Sequence, residues 1–341
     1  MSPLCAGLAS VIERAERIAQ PLAVSYCVTH RCDRACPLCY VKTNPPGPNA
    51  ELDTAGAIAA VQAIARAGGL FLAITGGEPC LRQDLTRIIE AAREAGLAVE
   101  LLTHGGQIDE ALARALARLR LLAAHVTVFS ADPAIHDRLC GCAGGLDATL
   151  RGLEQLRRAE VPTVLMTPLV RENFEGRGEV RALAGRLGAG FVADPTISPR
   201  DDGDRGPLAH RIDREQLARF IAEQPAPDIL TEDGPLCAAG QRTLHVDPDG
   251  AIRPCIQDPR ILGSLRETSI EEIWNNNETL REIRELRAAD LTGACQGCEA
   301  VRICGRCGAL ALLEHGDGRG PWAWACQRAE ALGYDIDHGQ L

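Results

Sequence analysis

Three kinds of feature are missing from this 341-residue sequence, and each absence excludes a class of protein. No uninterrupted apolar run approaches the ~18 residues of a membrane-spanning helix, so we expect no membrane partner. Residues 1–20 lack the basic region and apolar core of a secretion signal and predict an amphipathic N-terminal helix instead. An excess of positive charge is also missing, because the formal net charge is −10, and we expect no general binding to nucleic acid.

Lysine is nearly absent, whereas cysteine is frequent. Lys42 is the only lysine among 36 basic residues, which is most simply the codon bias of a GC-rich genome. The chain has 15 cysteines and no secretion signal, so we expect a cytoplasmic protein with reduced thiols. In that setting, clustered cysteines favour metal ligation over disulfide bonds.

Short apolar segments alternate with helical Ala/Leu/Arg patterns over residues 21–225. Six strands are predicted, each followed by a helix, at 22–28, 71–74, 98–102, 125–129, 163–167 and 190–193. Asp53 is the predicted N-cap of the first of these helices. Single helices between strands indicate a parallel sheet with helices outside it. Six units are too few for a closed eight-fold barrel, so the predicted fold is α/β, a partial (β/α)6 TIM-like barrel.

The composition changes near residue 225, and this marks a second predicted domain at 226–341. Cysteines crowd there, and the alternation of strands and helices ends. Residues 243–246 and 251–253 predict a β-hairpin, because Asp249-Gly250 supplies its turn. Residues 270–286 predict a single helix.

Three closely spaced cysteines, Cys32, Cys36 and Cys39, follow the first predicted strand. Thiolates are the usual ligands of iron–sulfur clusters. Three of them leave one iron of a four-iron cubane open to another ligand. A structural zinc site is the alternative. Sites in parallel α/β folds lie at the carboxyl edge of the sheet, where this loop begins.

A Gly-Gly-Glu-Pro segment follows the second predicted strand, and seven further cysteines lie beyond residue 236. Together with the three-cysteine loop, these features resemble the radical SAM superfamily, and within it the enzymes with a C-terminal SPASM domain. The resemblance implies a [4Fe-4S] cluster whose open iron binds S-adenosylmethionine, with electrons from a flavodoxin- or ferredoxin-type donor. Reductive cleavage then gives a 5′-deoxyadenosyl radical that abstracts hydrogen from the substrate.

The resemblance also implies which residues bind S-adenosylmethionine. Tyr40 occupies the aromatic position beside the adenine, and Ser130 is a candidate contact for the carboxylate. His104 stands where the family often has asparagine, and we expect no direct role for it. Ser130 and Asp132 are alternatively loop-capping residues, and the four-residue motif alone is often only a turn. That motif, whose glutamate accepts from the ammonium, consists of Gly76, Gly77, Glu78 and Pro79.

The cysteine-rich tail alone also fits a zinc ribbon around its four central cysteines. The SPASM resemblance implies instead two auxiliary [4Fe-4S] clusters with crossed ligation. The first is expected to lack a fourth cysteine and to have an open iron or another ligand. His245 is a candidate for that ligand, and an ordinary strand residue is the alternative. The implied ligands are Cys237, Cys255 and Cys307 for the first cluster, and Cys295, Cys298, Cys304 and Cys326 for the second.

Asp258 lies three residues after Cys255 and is a candidate catalytic base, because some relatives use an aspartate beside that cysteine. A solvated turn is the alternative for Asp258.

The substrate is expected to be a small molecule or a peptide from a natural-product pathway. We expect no appended peptide-recognition domain, and this expectation favours a small polar metabolite such as a sugar, cyclitol or nucleoside. The reaction is then a dehydrogenation, decarboxylation or epimerisation. The alternative is a ribosomal peptide or protein maturase that forms a thioether or carbon–carbon crosslink. A more remote alternative is a non-catalytic iron–sulfur or zinc protein.

Overall fold

The computed structural model describes residues 19–41, 51–224 and 234–336. The predicted N-terminal helix lies outside these residues except for its last two positions. Most of the segment around the predicted boundary at 225/226 lies outside them as well. The N-terminal helix and the domain boundary therefore stay predictions.

One nine-stranded sheet runs through the described part of the chain. Its order is β6-β5-β4-β3-β2-β1-β7-β8-β9. The first six strands are parallel to their neighbours, and β6 and β9 are separate edges, which confirms the predicted open barrel. The strands are β1 Ala23–Cys27, β2 Phe71–Thr75, β3 Ala98–Thr103, β4 Ala123–Thr127, β5 Thr163–Pro168, β6 Gly190–Asp194, β7 Thr243–Val246, β8 Ala251–Arg253 and β9 Gly263–Ser264.

Helices connect the parallel strands and cover the outer face of the sheet. Asp53 caps the first of them as predicted, since its side chain accepts from Gly56 N at 2.8 Å. The described α-helices are α1 Thr54–Arg66, α2 Leu85–Glu94, α3 Glu110–Arg118, α4 Pro133–Cys140, α5 Gly145–Arg158, α6 Arg177–Leu187, α7 Arg214–Ala222, α8 Ile270–Asn276, α9 Glu278–Glu285, α10 Gly308–His315 and α11 Ala323–Ala331.

Two of these helical regions differ from the sequence expectation. The single helix over 270–286 is wrong, because Asn277 is extended (ψ 128°) and its side chain accepts from Leu280 N to cap α9. An asparagine that caps a new helix interrupts the old one. Helix α4 was not predicted, although Asp132 caps it and Pro133 opens it, a common start signal.

The C-terminal cysteine-rich region contacts the barrel through a shared sheet, an apolar core and ion pairs. Strand β7 pairs in parallel with β1, so the predicted hairpin β7–β8 extends the barrel sheet. A second apolar core packs Trp322 and Trp324 of the C-terminal region with Leu217 of α7. Beside it, Arg211 forms an ion pair with the buried Glu314 of α10, with NH1 to Oε2 at 3.0 Å.

No helix in residues 19–41, 51–224 or 234–336 has both the length and the apolar character needed to cross a membrane.

Candidate functional site

The three-cysteine loop begins at the carboxyl end of β1, where the parallel strands present their loops. The Gly-Gly-Glu-Pro turn after the neighbouring β2 is hydrogen-bonded to it through backbone atoms. Gly77 N donates to Thr29 O, and Glu78 N donates to Arg31 O, both at 2.8 Å. The two sequence motifs therefore form one structural unit.

The two glycines of the turn are required by this contact. A Cβ atom on Gly76 would lie 2.4 Å from Thr29 O, and one on Gly77 would lie 2.4 Å from Arg31 O. Both neighbours are backbone atoms that cannot rotate away. The two glycines therefore permit the close approach of the two loops.

Glu78 is fully buried, and its carboxylate is bonded to the protein on both oxygens. Oε1 accepts from Cys80 N at 3.0 Å and from Thr103 Oγ1 at 2.7 Å, while Oε2 accepts from His104 N at 2.9 Å. The carboxylate thus ties the end of β3 to the turn after β2. Its contact with the ammonium of S-adenosylmethionine stays a prediction.

His104, to which the sequence assigned no direct role, joins the cysteine loop to the end of β3. Its Nδ1 accepts from Gly106 N at 3.0 Å, so Nε2 carries the proton and faces Asp33 Oδ1 at 2.7 Å. Partial burial opposes ionisation of Asp33, but hydrogen bonds from His104 and Gln107 hold its pKa below the usual value. Sequence spacing could not reveal this contact, which joins two loops.

The environment of the three loop thiols disfavours their thiolate form when no metal is bound. Burial first, and then the neighbouring Cys39 and Cys32, raise the pKa of Cys36 to about 12. Burial also raises the pKa of Cys32 to about 11 and that of Cys39 above its usual value. Metal coordination removes this penalty, because a coordinating thiol is deprotonated outright.

A buried guanidinium lies in the same loop. Arg34 is 6% exposed, and its NH2 donates to Thr149 Oγ1 at 2.9 Å and to Gly145 O at 3.2 Å. Its NH1 has no hydrogen-bond partner. Three thiolate donors beside an unmatched cation fit a group of net negative charge, as a thiolate-bound iron–sulfur cluster is. The residues present therefore fit the cluster.

Tyr40 and Ser130 occupy defined positions near these loops. Burial and the nearby Cys27 raise the pKa of Tyr40, whose hydroxyl hydrogen-bonds with the side chain of Thr75 at the end of β2. Ser130 Oγ is buried and accepts from Asp132 N at 3.0 Å. Capping is thus one role of Ser130, and contacts of Tyr40 and Ser130 with S-adenosylmethionine stay predictions.

The seven C-terminal cysteines lie in two groups, and their ligation of two clusters stays a prediction. Burial, followed by Cys237 and Cys307, raises the pKa of Cys255 to about 12, which places these three together. Burial, followed by Cys295, Cys304 and Cys298, raises the pKa of Cys326 to about 12. One small cavity is also lined by Cys295, Cys298, Cys304 and Cys326. Cys307 therefore lies with the first group, although Cys304 of the second group is its neighbour in sequence.

The first group lines a cavity of about 320 Å³ together with Asp258. Asp258 is 2% exposed, and both of its oxygens bind Arg260, with Oδ1 to Nε at 2.9 Å and Oδ2 to NH2 at 2.7 Å. The solvated-turn alternative for Asp258 is therefore wrong, since its carboxylate is buried and paired. Its role as a base stays a prediction.

His245 is not available as a ligand for a cluster at the first cysteine group. It is a buried residue of β7 whose Nδ1 is 2.7 Å from Ser25 Oγ and whose Nε2 is 3.3 Å from Asp247 Oδ1. Both ring nitrogens are engaged within the sheet, so the alternative, an ordinary strand residue, is correct.

A larger cavity, of about 580 Å³, opens beyond the carboxyl end of β6. Its wall includes Asp194 from the strand, Phe220 from α7, and Trp322 and Trp324 from the C-terminal region. Cys304 of the second cysteine group borders it as well. Its position between the barrel and the C-terminal region suits a substrate of more than a few atoms.

Two family models match the chain. That of the radical SAM superfamily matches residues 26–184, and that of the iron–sulfur cluster-binding SPASM domain matches residues 237–299. The second match ends within the cysteine-rich tail, before Cys304, Cys307 and Cys326.

Known proteins resemble the chain over most of its length. It is 32% identical over 317 residues to a PqqA peptide cyclase of Xanthomonas campestris pv. campestris (strain 8004), covering 86% of this chain and 84% of that one. It is 26% identical over 332 residues to an AdoMet-dependent heme synthase of Methanosarcina barkeri, covering 87% and 94%. The solved structure of Streptococcus suis SuiB bound to its precursor peptide SuiA has a TM-score of 0.69 at 15% identity, covering 91% and 76%.

Proposed function

We propose, from the premise that this chain belongs to the radical SAM superfamily and carries a SPASM domain, that it matures a peptide by forming a thioether or carbon–carbon crosslink. The family makes the protein an enzyme that uses [4Fe-4S] clusters and S-adenosylmethionine. The similarity to a PqqA peptide cyclase over most of both chains is the observation that supports a peptide substrate. The expectation of a small polar metabolite has weaker support than this alternative.

The barrel residues hold and orient the cofactors. When bound, the N-terminal cluster and S-adenosylmethionine supply a radical able to abstract hydrogen from an unactivated C–H bond. Cys32, Cys36 and Cys39 provide the thiolates, and the Gly76–Pro79 turn fixes the loop by backbone bonds. Glu78 fixes the end of β3 against that turn, so its loss loosens two loops of the site at once.

A crosslink removes two hydrogens from the peptide and is therefore an oxidation. One would leave as a hydrogen atom to the 5′-deoxyadenosyl radical, and the other as a proton and an electron that a further cluster would accept. The C-terminal cysteines provide two places for further clusters, and the second group borders the cavity beyond β6. A cavity of about 580 Å³ with two tryptophans and a phenylalanine in its wall accommodates an aromatic or aliphatic side chain of a peptide.

Mass spectrometry of candidate peptides tests the proposal. Oxygen-free reconstituted protein is mixed with dithionite, S-adenosylmethionine and synthetic peptides encoded by short reading frames beside its gene. We expect 5′-deoxyadenosine together with a peptide lighter by a pair of hydrogens, and neither product from Cys36→Ala. Formation of 5′-deoxyadenosine with every such peptide unchanged would contradict the peptide substrate.

A second candidate function rests on the AdoMet-dependent heme synthase, whose length the chain covers almost fully. The name of that relative refers to heme, a small molecule, in agreement with the expectation of a non-peptide substrate. Incubation with a porphyrin and S-adenosylmethionine tests this second candidate, because a modified porphyrin supports it and an unchanged porphyrin contradicts it.

A further inference from the structure

Arg34 lies between two of the cluster-binding cysteines and is held rigidly. Its NH2 is fixed by Thr149 Oγ1 and Gly145 O, and Thr149 Oγ1 donates in turn to His104 O at 2.9 Å. The side chain is therefore anchored to α5 and to the end of β3 and does not extend into solvent.

The charge of Arg34 has no protein counterion among the described residues. It forms no ion pair there, and its buried NH1 has no acceptor. An isolated charge in the interior is costly unless it is paired and hydrogen-bonded. A side chain that keeps this arrangement in a folded protein calls for an anionic partner.

The groups nearest this charge indicate where the partner lies. Arg34 lies two positions before Cys36, and Ala35 N, between them, donates to Cys140 O at 3.3 Å. That carbonyl of Cys140, the last residue of α4, lies 3.5 Å from Cys36 Sγ. A Cβ atom on Gly145, whose carbonyl binds Arg34 NH2, would lie 2.5 Å from Cys140 Sγ. The unmatched cation thus adjoins the place where the loop binds a cluster.

We propose that Arg34 is the counterion of the N-terminal cluster, donating from NH1 to a sulfur of the loaded site and stabilising its reduced, more negative form. This inference rests on the proposed function, since it presumes that the loop holds the cluster. Hydrogen bonds to sulfur and net charge are established determinants of cluster potential. Arg34 therefore raises the reduction potential of this cluster.

The same loop offers a matched control. Arg31 is three residues away, but its side chain is 48% exposed and its Nε lies 3.6 Å from Glu51 Oε2. Its charge is already paired and is screened by solvent, so its removal is expected to leave the potential unchanged.

An EPR-monitored redox titration of the reconstituted full chain tests the proposal without measuring turnover. The signal absent from Cys36→Ala reports the N-terminal cluster. We expect Arg34→Gln to shift its potential to a more negative value, Arg34→Lys to shift it much less because the charge remains, and Arg31→Gln to leave it in place. Loss of the cluster from Arg34→Gln but not from Arg34→Lys also supports a counterion.

Three results would overturn the inference. They are an unchanged potential in Arg34→Gln, equal shifts in Arg34→Gln and Arg34→Lys, and loss of the cluster from both variants, because the last two indicate a role for shape and not for charge. If the unaltered protein takes up no cluster at this loop, the proposed function itself fails, and this outcome is distinct from the other three.

Discussion

The N-terminal and C-terminal cysteine sites are built in different ways. Cys32, Cys36 and Cys39 lie in one short loop directly after β1, and the backbone of the neighbouring turn supports that loop. The C-terminal groups combine cysteines from distant positions, such as Cys237 with Cys307, on loops and 3-10 turns and, for Cys326, on helix α11. The comparison teaches that the barrel itself shapes the first site, whereas the others depend on how a loosely structured region is held.

Removal of one cysteine from each region should give the largest difference between the two regions, measured as 5′-deoxyadenosine formation. Cys36→Ala removes a ligand of the cluster that binds S-adenosylmethionine, so we expect no 5′-deoxyadenosine. Cys298→Ala alters only the second C-terminal group, and we expect cleavage of S-adenosylmethionine to persist in part while substrate turnover stops. The products are measured by chromatography after reduction with dithionite. Equal losses of 5′-deoxyadenosine in both variants would remove the functional distinction between the regions.

A methyl group in the turn that supports the first site should have the next largest effect. Gly77→Ala places Cβ against Arg31 O at 2.4 Å, so we expect the N-terminal cluster to be lost while the C-terminal clusters are retained. Gly185→Ala is the control, because Gly185 lies in α6 with no atom within 4 Å of the added carbon. That change should stabilise the fold by about 1 kcal/mol. Iron analysis with EPR distinguishes the variants, and normal cluster content in Gly77→Ala would refute the packing argument.

Breaking the buried ion pair should affect the C-terminal region most. Arg211→Met leaves Glu314, whose side chain is only 2% exposed, without its partner. Loss of one partner of a buried pair costs roughly 3–5 kcal/mol. We expect the C-terminal clusters to be lost while the N-terminal signal remains.

The exposed pair Arg214–Glu330 also connects the barrel to the C-terminal region and provides the control for Arg211→Met. Arg214 is 65% exposed and its NH1 lies 3.5 Å from Glu330, so Arg214→Met should cost under about 1 kcal/mol. Urea denaturation measures both variants, and similar costs would show that the buried pair does not hold the C-terminal region.

The smallest expected effect is a pH dependence of the free energy of unfolding that arises from His136 in the barrel. Burial, aided by the charge of Arg34, lowers the pKa of the fully buried His136 from 6.5 to about 4. The folded state thus favours neutral His136, so its contribution is present above pH 6.5 and is lost as the pH falls toward 4. Between pH 7 and pH 5 this loss is roughly 2 kcal/mol.

Replacement of His136 by phenylalanine removes this dependence. Denaturation of unaltered protein and of His136→Phe at pH 7 and at pH 5 measures it, and the variant should lose about 2 kcal/mol less on acidification. The same loss in both proteins would show that His136 is not held neutral.

Local patterns predicted the barrel well because each of its elements carries its own signal. Alternation of strands and helices, the cap at Asp53 and the Asp249-Gly250 turn all operate over a few residues, and the strands agree with the expectation within about two positions. The break at Asn277 was missed. The helical pattern continues through this residue, and only the structure shows that its side chain caps a new helix.

Contacts between distant segments were not predictable in the same way. The contact of His104 with Asp33 and the pairing of β7 with β1 join loops or strands that no spacing rule relates. The grouping of Cys307 with Cys237 came from the family resemblance, since proximity in sequence favours Cys304 as its neighbour. The residues themselves predicted the chemistry of the site, and the fold determined which of them meet.

EPR of the reduced, oxygen-free protein with and without S-adenosylmethionine is the most direct measurement of the central claim, that the loop at Cys32, Cys36 and Cys39 holds a cluster with one iron available to that cofactor. We predict a signal that changes on addition of S-adenosylmethionine and is missing from Cys36→Ala. A spectrum that the cofactor leaves unaltered, or zinc in place of iron at this loop, would contradict the account.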